Sequence, residues 1–329
     1  MKKLDILIPQ YKEDDTIVKN LLDSIALQQG VDLKKEVGVI IVNDGTDVLL
    51  SDELLNSYVF DIKYIKAEHK GISETRNRAF DESTAEYVMF CDDDDMFFSA
   101  LGLYTIFEYM NEISETGLMG FNVLVPYFKE EIENIYGKTI YYNRKNDKTF
   151  NHGKVYRRSY LEENNIRFNP KVPLHEDVYF NALALALGTD IKYVDNCYYM
   201  WRNNKNSTTR KWNNFILDTI ETLITCYYEL VKEFMSRGLV SFARVNVANG
   251  LYRIYYEAQT QKFIDNPDRL YSMEKCIQKF YLDYKDLYGR VTTEEKIELL
   301  KGFKVSYLDE VLFEKIKFED WLKHIEELE

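Results

Sequence analysis

Tyr87-Val88-Met89-Phe90-Cys91-Asp92-Asp93-Asp94-Asp95 joins a short apolar run to four consecutive aspartates. The apolar part reads as a buried strand. Four adjacent carboxylates repel one another, and at the end of a buried strand they cannot all reach bulk water. A hard divalent cation with oxygen ligands resolves that conflict. Magnesium typically takes one or two protein carboxylates and completes its shell with phosphate oxygens and water. Taken alone, the run also suits an exposed acidic loop that caps the next helix.

Upstream, strand and helix signals alternate. Leu4 to Pro9 is a short apolar strand, and Thr16 to Gln29 repeats helically with Ile17, Leu21, Leu22 and Ile25 on one face. Gly30 can end that helix. Val37 to Val42 is a continuous apolar run that ends in the turn signal Asn43-Asp44-Gly45, and Ile62 to Ile65 is a third strand. Ser73 to Glu82 reads as a helix with Ser73 as its N-cap. The order β-α-β-α-β-α-β implies an α/β fold, a mostly parallel sheet flanked by helices. Ligands bind such sheets at the carboxyl ends of the strands. Asp44 and the aspartate run both stand there.

Downstream, 101–115 reads as helix, 120–128 as strand, 138–142 as half of a hairpin, 158–164 as a short helix and 176–187 as a longer one closed by Gly188. Ile191 to Trp201 is an aromatic strand. After Trp212 the pattern turns helical, over 215–235, 242–263, 272–284 and 293–302. The expectation is a Rossmann-like domain at 1–212 and a C-terminal α-helical region at 213–329, with Tyr252, Tyr255 and Tyr256 in its core.

Three further stretches could carry chemistry. Gly71-Ile72-Ser73-Glu74-Thr75-Arg76-Asn77 opens a helix that aims an Arg-Asn pair at the sheet edge. His175-Glu176-Asp177 starts an apolar helix, where acids are favoured by the dipole but could also serve as a general base. Trp201 to Lys211 gathers basic and hydroxyl groups that suit a diphosphate. Each also reads as ordinary surface or capping.

In this order and spacing, the chain resembles the family 2 glycosyltransferases, the inverting GT-A fold group, over about residues 3–211. Leu4-Asp5-Ile6-Leu7-Ile8-Pro9-Gln10-Tyr11-Lys12-Glu13 looks like the family's opening signature. Ile41 to Asp47 looks like its Asp-Asp-Gly-Ser turn, with Asn43 in place of the first aspartate. Arg76-Asn77 with Ala79 resembles its Arg-Asn helix, and Phe90-Cys91-Asp92-Asp93-Asp94-Asp95 its DXD segment. His175-Glu176-Asp177 resembles its Glu-Asp motif. The resemblance implies a UDP-sugar donor, a glycan or glycoconjugate hydroxyl as acceptor, and Mn2+ or Mg2+. It implies Asp177 as base with Glu176 as the alternative, and Asp94 with Asp92 as metal ligands. Pro9, Tyr11, Glu13, Asp44, Arg76, Asn77, Asp92, Asp93, Arg210 and Lys211 would serve the donor. Asn204 or a neighbour stands where members often carry a histidine.

Composition bounds the rest. The 329 residues are 46% hydrophobic, with a net charge of −13 and only five prolines. That charge disfavours nucleic acid and anionic membranes, apart from local basic stretches at 138–158 and 202–211. No apolar run spans a bilayer. Four scattered cysteines and a start without a signal peptide fit a reduced, cytoplasmic setting. Neither Gly-x-Gly-x-x-Gly nor the full phosphate-loop motif Gly-x-x-x-x-Gly-Lys-Ser/Thr occurs. The rival readings are a degenerate nucleotide-binding module and a transferase acting on modified DNA bases. The helical region is expected to bind acceptor or a second copy.

Overall fold

The computed structural model describes residues 1–133, 136–204, 215–307 and 316–328. The chain divides into two compact units, Met1–Lys205 and Asn206–Glu329.

In the first unit, β1 (Leu4–Gln10) and β2 (Val37–Asp44) are buried at every position, as continuous apolar runs require. They pair in parallel, and β1 pairs likewise with β4 (Tyr87–Phe90). On the outer side, β3 (Asp61–Ala67) pairs with β2 and alternates in exposure as an edge strand does. The sheet order is β3-β2-β1-β4-β8-β6-β9-β5, with β5 at Met96–Phe97, β6 at Val123–Glu133, β8 at Val155–Arg157 and β9 at Ile191–Trp201. Strand β9 joins β6 in parallel, whereas β8 and β5 add antiparallel pairings. The expected hairpin forms where β7 (Thr139–Arg144) pairs with β6.

The connecting helices are α1 (Asp15–Ala26), the one-turn α2 (Leu33–Glu36) and α3 (Asp52–Leu55), α4 (Ile72–Asp81), α5 (Gly102–Met110), α6 (Arg158–Glu163) and α7 (Glu176–Leu187). Asp14 caps α1 by accepting from the Thr16 and Ile17 amides. At α4 the expected cap is displaced by two residues. Gly71, at φ +88°, holds the cap position without a side-chain bond, while buried Ser73 reaches the Val172 carbonyl instead. Gly71 is the residue type that tolerates this backbone.

In the second unit the helices run Phe215–Ser236, Val240–Ala258, Gln261–Ile264, Pro267–Tyr288, Thr293–Tyr307 and Phe318–Glu327. The expected 242–263 helix is interrupted by Gln259 and Thr260, and the last helix was not anticipated. Tyr252, Tyr255 and Tyr256 are core: Tyr252 packs on Phe318 at 4.2 Å and Tyr255 on Trp321 at 5.6 Å. No helix of the described residues is long and apolar enough to cross a membrane.

Candidate active site at the carboxyl ends of the strands

Arg76 is the hinge of the arrangement. It lies on α4, is only 5% exposed, and donates in two directions. Its Nη2 reaches Asp92 Oδ1 at 2.7 Å, just past β4, and its Nη1 reaches Glu176 Oε1 at 2.5 Å, the first residue of α7. Its face lies over the Phe168 ring. A planar guanidinium can serve two carboxylates at once, which an ammonium does less well. Next to it, Asn77 is used up by the backbone: its amide donates to the Phe168 carbonyl and accepts from the Phe168 amide. The pair therefore ties the end of β4 to the chain entering α7. Asn77 faces that chain.

The four aspartates divide by environment. Burial pushes Asp92 up, but the Arg76 charge and hydrogen bond, with a smaller contribution from His152, hold it below the usual range. Asp94 is raised to about 6 by burial and by the Asp92 charge, although Asn204 opposes this. Asp93 and Asp95 are both pushed well above the usual range, first by burial and then by Asp94. The surplus of close carboxyls beside one buried arginine is what a divalent cation would neutralise, and the oxygen donors fit one.

Three strand ends meet at Asp94. Asn204, after β9, donates from one amide nitrogen to Asp94 Oδ2 at 2.8 Å and to Glu13 Oε1 at 3.1 Å, so the β1 loop joins the cluster. Asp95 is fully buried and accepts from the Tyr199 hydroxyl at 2.6 Å and the Arg202 amide at 2.9 Å. Among the described residues, the carboxylate and imidazole atoms that converge as a metal-capable trio are those of Asp92, Asp95 and His152, within 4.8 Å of one another. Asp94 stands outside that trio.

Asp44 has a structural occupation that the sequence did not disclose. Its carboxylate accepts from the Lys70 and Gly71 amides and from His69 Nδ1 at 3.0 Å, and so it shapes the loop that opens α4. His69 stacks on Tyr11 at 5.0 Å, with both rings partly exposed. Asn43 donates to Gln10 Oε1 at 2.6 Å and accepts from the Thr46 amide, a two-way role an aspartate could not fill. Pro9 is buried in β1 opposite Val42. Arg210 and Lys211 lie outside the described residues.

Gly45 closes this corner at φ +68°, and a Cβ there would stand 2.2 Å from the His69 amide nitrogen. Gly45→Ala should cost about 3 kcal/mol, from left-handed backbone strain and overpacking together. Urea denaturation checks this; an unchanged midpoint contradicts it.

On the opposite side, Asp177 follows Glu176 in the first turn of α7. The dipole at a helix start favours an ionised acid. Burial and the Glu176 charge win nonetheless, and Asp177 is raised to about 8 in spite of Arg76. Lys154, within the basic stretch 138–158, is buried and pairs with Asp147 at 3.3 Å. Behind it, the Tyr156 hydroxyl and Asn181 amide form a buried network that ends on the Asp177 carbonyl.

A mostly parallel sheet edged by carboxylates, with an acid pair across from them, makes an α/β fold with its candidate site at the strand ends. The chain belongs to glycosyl transferase family 2, whose family profile matches residues 5–173. Glycosyltransferase GlyA of Streptococcus pneumoniae is 26% identical over 94% of this chain and 45% of its own length. The poly(ribitol-phosphate) beta-N-acetylglucosaminyltransferase TarS of Staphylococcus aureus is 27% identical over 60% of this chain and 35% of its own. The chain thus spans less than half the length of these curated relatives. Residues 1–349 of TarS, solved with UDP-GlcNAc, share the fold with a TM-score of 0.55 at 17% identity, over 93% of this chain and 92% of that one.

Proposed function

We propose that this chain is an inverting glycosyltransferase that moves a sugar from a UDP-sugar to a hydroxyl of a surface glycan or related glycoconjugate. The observation that carries the reading is the Arg76 bridge, which sets the carboxylates past β4 and the acid pair of α7 on two sides of one fixed guanidinium. UDP is the nucleotide of the TarS complex, and poly(ribitol-phosphate) is the acceptor in the name of TarS. That name supports a hydroxyl-rich acceptor.

The stacked Tyr11 and His69 rings offer a face to the nucleobase, and Glu13 lies near the sugar-phosphate side with Asn204. Asp92, Asp93 and Asp94 face the donor. A divalent cation, Mn2+ or Mg2+, bound by Asp94 and Asp92 would supply positive charge to the donor diphosphate. Asp177 takes the proton of the acceptor hydroxyl as that oxygen attacks the anomeric carbon, and the nucleoside diphosphate departs from the opposite face. Glu176, gripped by Arg76, positions the turn that carries Asp177. The helical unit, from 213 onward, is assigned to acceptor binding or self-association, and the reduced cysteines suit a cytoplasmic setting.

Nucleotide release across a panel of donors, with and without Mn2+, tests the whole reading. Release of UDP from one sugar donor, dependent on Mn2+, is the expected result. Binding without release would instead identify a nucleotide-binding module. Asp94→Ala should abolish Mn2+-dependent UDP binding by calorimetry, and an unaltered isotherm would sink the assignment of Asp94.

A further inference from the structure

His152 precedes β8 and was singled out by no motif. Its ring is boxed by aromatics, stacked on Trp201 at 5.0 Å, Phe150 at 5.2 Å and Tyr199 at 5.5 Å, with Phe128 edge-on at 4.9 Å. The side chain is 7% exposed, and among the described residues neither ring nitrogen makes a hydrogen bond. The nearest opposing polar atom is Asp95 Oδ2, 3.6 Å from Nδ1. A ring this enclosed, with no protein hydrogen bond to give up, is free to take a ligand. The imidazole is aimed at the Asp92 and Asp95 carboxylates, within 4.8 Å of both. Among the described residues the second Asp92 oxygen accepts no hydrogen bond, because Arg76 takes only Oδ1. Donors held about 2.1 Å from a cation stand about 3–4 Å apart, so this trio closes with a small side-chain shift.

We propose that Asp92, Asp95 and His152 form a nitrogen-containing divalent-cation site that fills without nucleotide. An imidazole ligand selects first-row transition ions such as Mn2+ over Mg2+, which prefers oxygen. Asp94 is not part of the trio, so this site differs from the pair assigned to the donor diphosphate. It shares Asp92 with that pair and rests on the proposed function only for its place in turnover.

The test uses the full chain, stripped with chelator and titrated with Mn2+ in the absence of nucleotide. Electron spin echo spectroscopy reads nitrogen coordination directly. The expected result is one bound Mn2+ with 14N modulation, retained in Asp94→Asn. In His152→Gln the modulation should vanish and affinity should fall about tenfold or more. Wild-type protein labelled with 15N-histidine should replace the 14N pattern by a 15N one, which needs no variant to fold. Mn2+ binding that requires UDP, or that shows no nitrogen modulation, overturns the site while leaving donor binding intact. Nitrogen-coordinated Mn2+ in a protein that releases no nucleotide from any donor supports the site and removes the proposed reaction.

Discussion

Asp177→Asn should lower kcat by about 100- to 10,000-fold while UDP binding is retained, because a positioned general base contributes on that order. Glu176→Gln should lose less, since its neighbour still takes the proton. The pH dependence gives a second reading. A base works only when ionised, and burial together with Glu176 raises Asp177 to about 8. The groups facing it are Glu176, Arg76, Asp92, Lys154 and Tyr156. With donor saturating, kcat should therefore climb about tenfold per pH unit up to about 8 and then level. The stability sign is opposite. A raised folded-state pKa gives stabilisation that is complete below the ordinary carboxylate range and is lost as pH rises through about 8. Asn mimics the protonated acid, so Asp177→Asn should melt higher than the native protein at pH 9. A variant with native turnover, or a flat pH profile, removes Asp177 from the base role.

Arg76→Met should be the most damaging single change. Breaking a buried pair leaves its partners uncompensated, at a cost of about 3–5 kcal/mol. Here two carboxylates lose their partner, and both ends of the site come loose. Donor turnover should fall at least as far as for Asp177→Asn. Arg76→Lys should recover part of the stability but little of the rate, because a single ammonium cannot hold Asp92 and Glu176 in a fork. Urea denaturation and nucleotide release measure the two separately. Full activity in Arg76→Lys would show that the bridge is not required.

Much of this was legible in the residues. The bounds of α7 and β9 match the expected 176–187 and 191–201, because apolar periodicity, an acidic first turn and Gly188 all agree there. The continuous apolar runs gave β1, β2 and β4 their places for the same reason. What escaped is tertiary. Asp44 reads as a donor-binding residue, and what its neighbours in the chain do not show is its bond to the loop 26 residues later. Lys154 stands in a basic stretch, and although Asp147 lies only seven residues earlier, that spacing does not announce a buried pair. His69 and His152 belong to no motif. Their importance arises only from what the fold sets beside them, Tyr11 in one case and Asp95 in the other, and with only four histidines in the chain each could have been inspected singly.

The Arg76–Glu176 contact joins residues 100 positions apart. Arg76 and Asp92 can meet as soon as the parallel half of the sheet has been made, but the second grip waits for α7. During synthesis at about 5–20 residues per second, that interval lasts roughly 5–20 seconds. Throughout it, a nascent chain holds a guanidinium paired on one side only. The bridge thus closes late, and a ribosome stalled before α7 carries the parallel strands β1 to β4 without the second carboxylate and without β9.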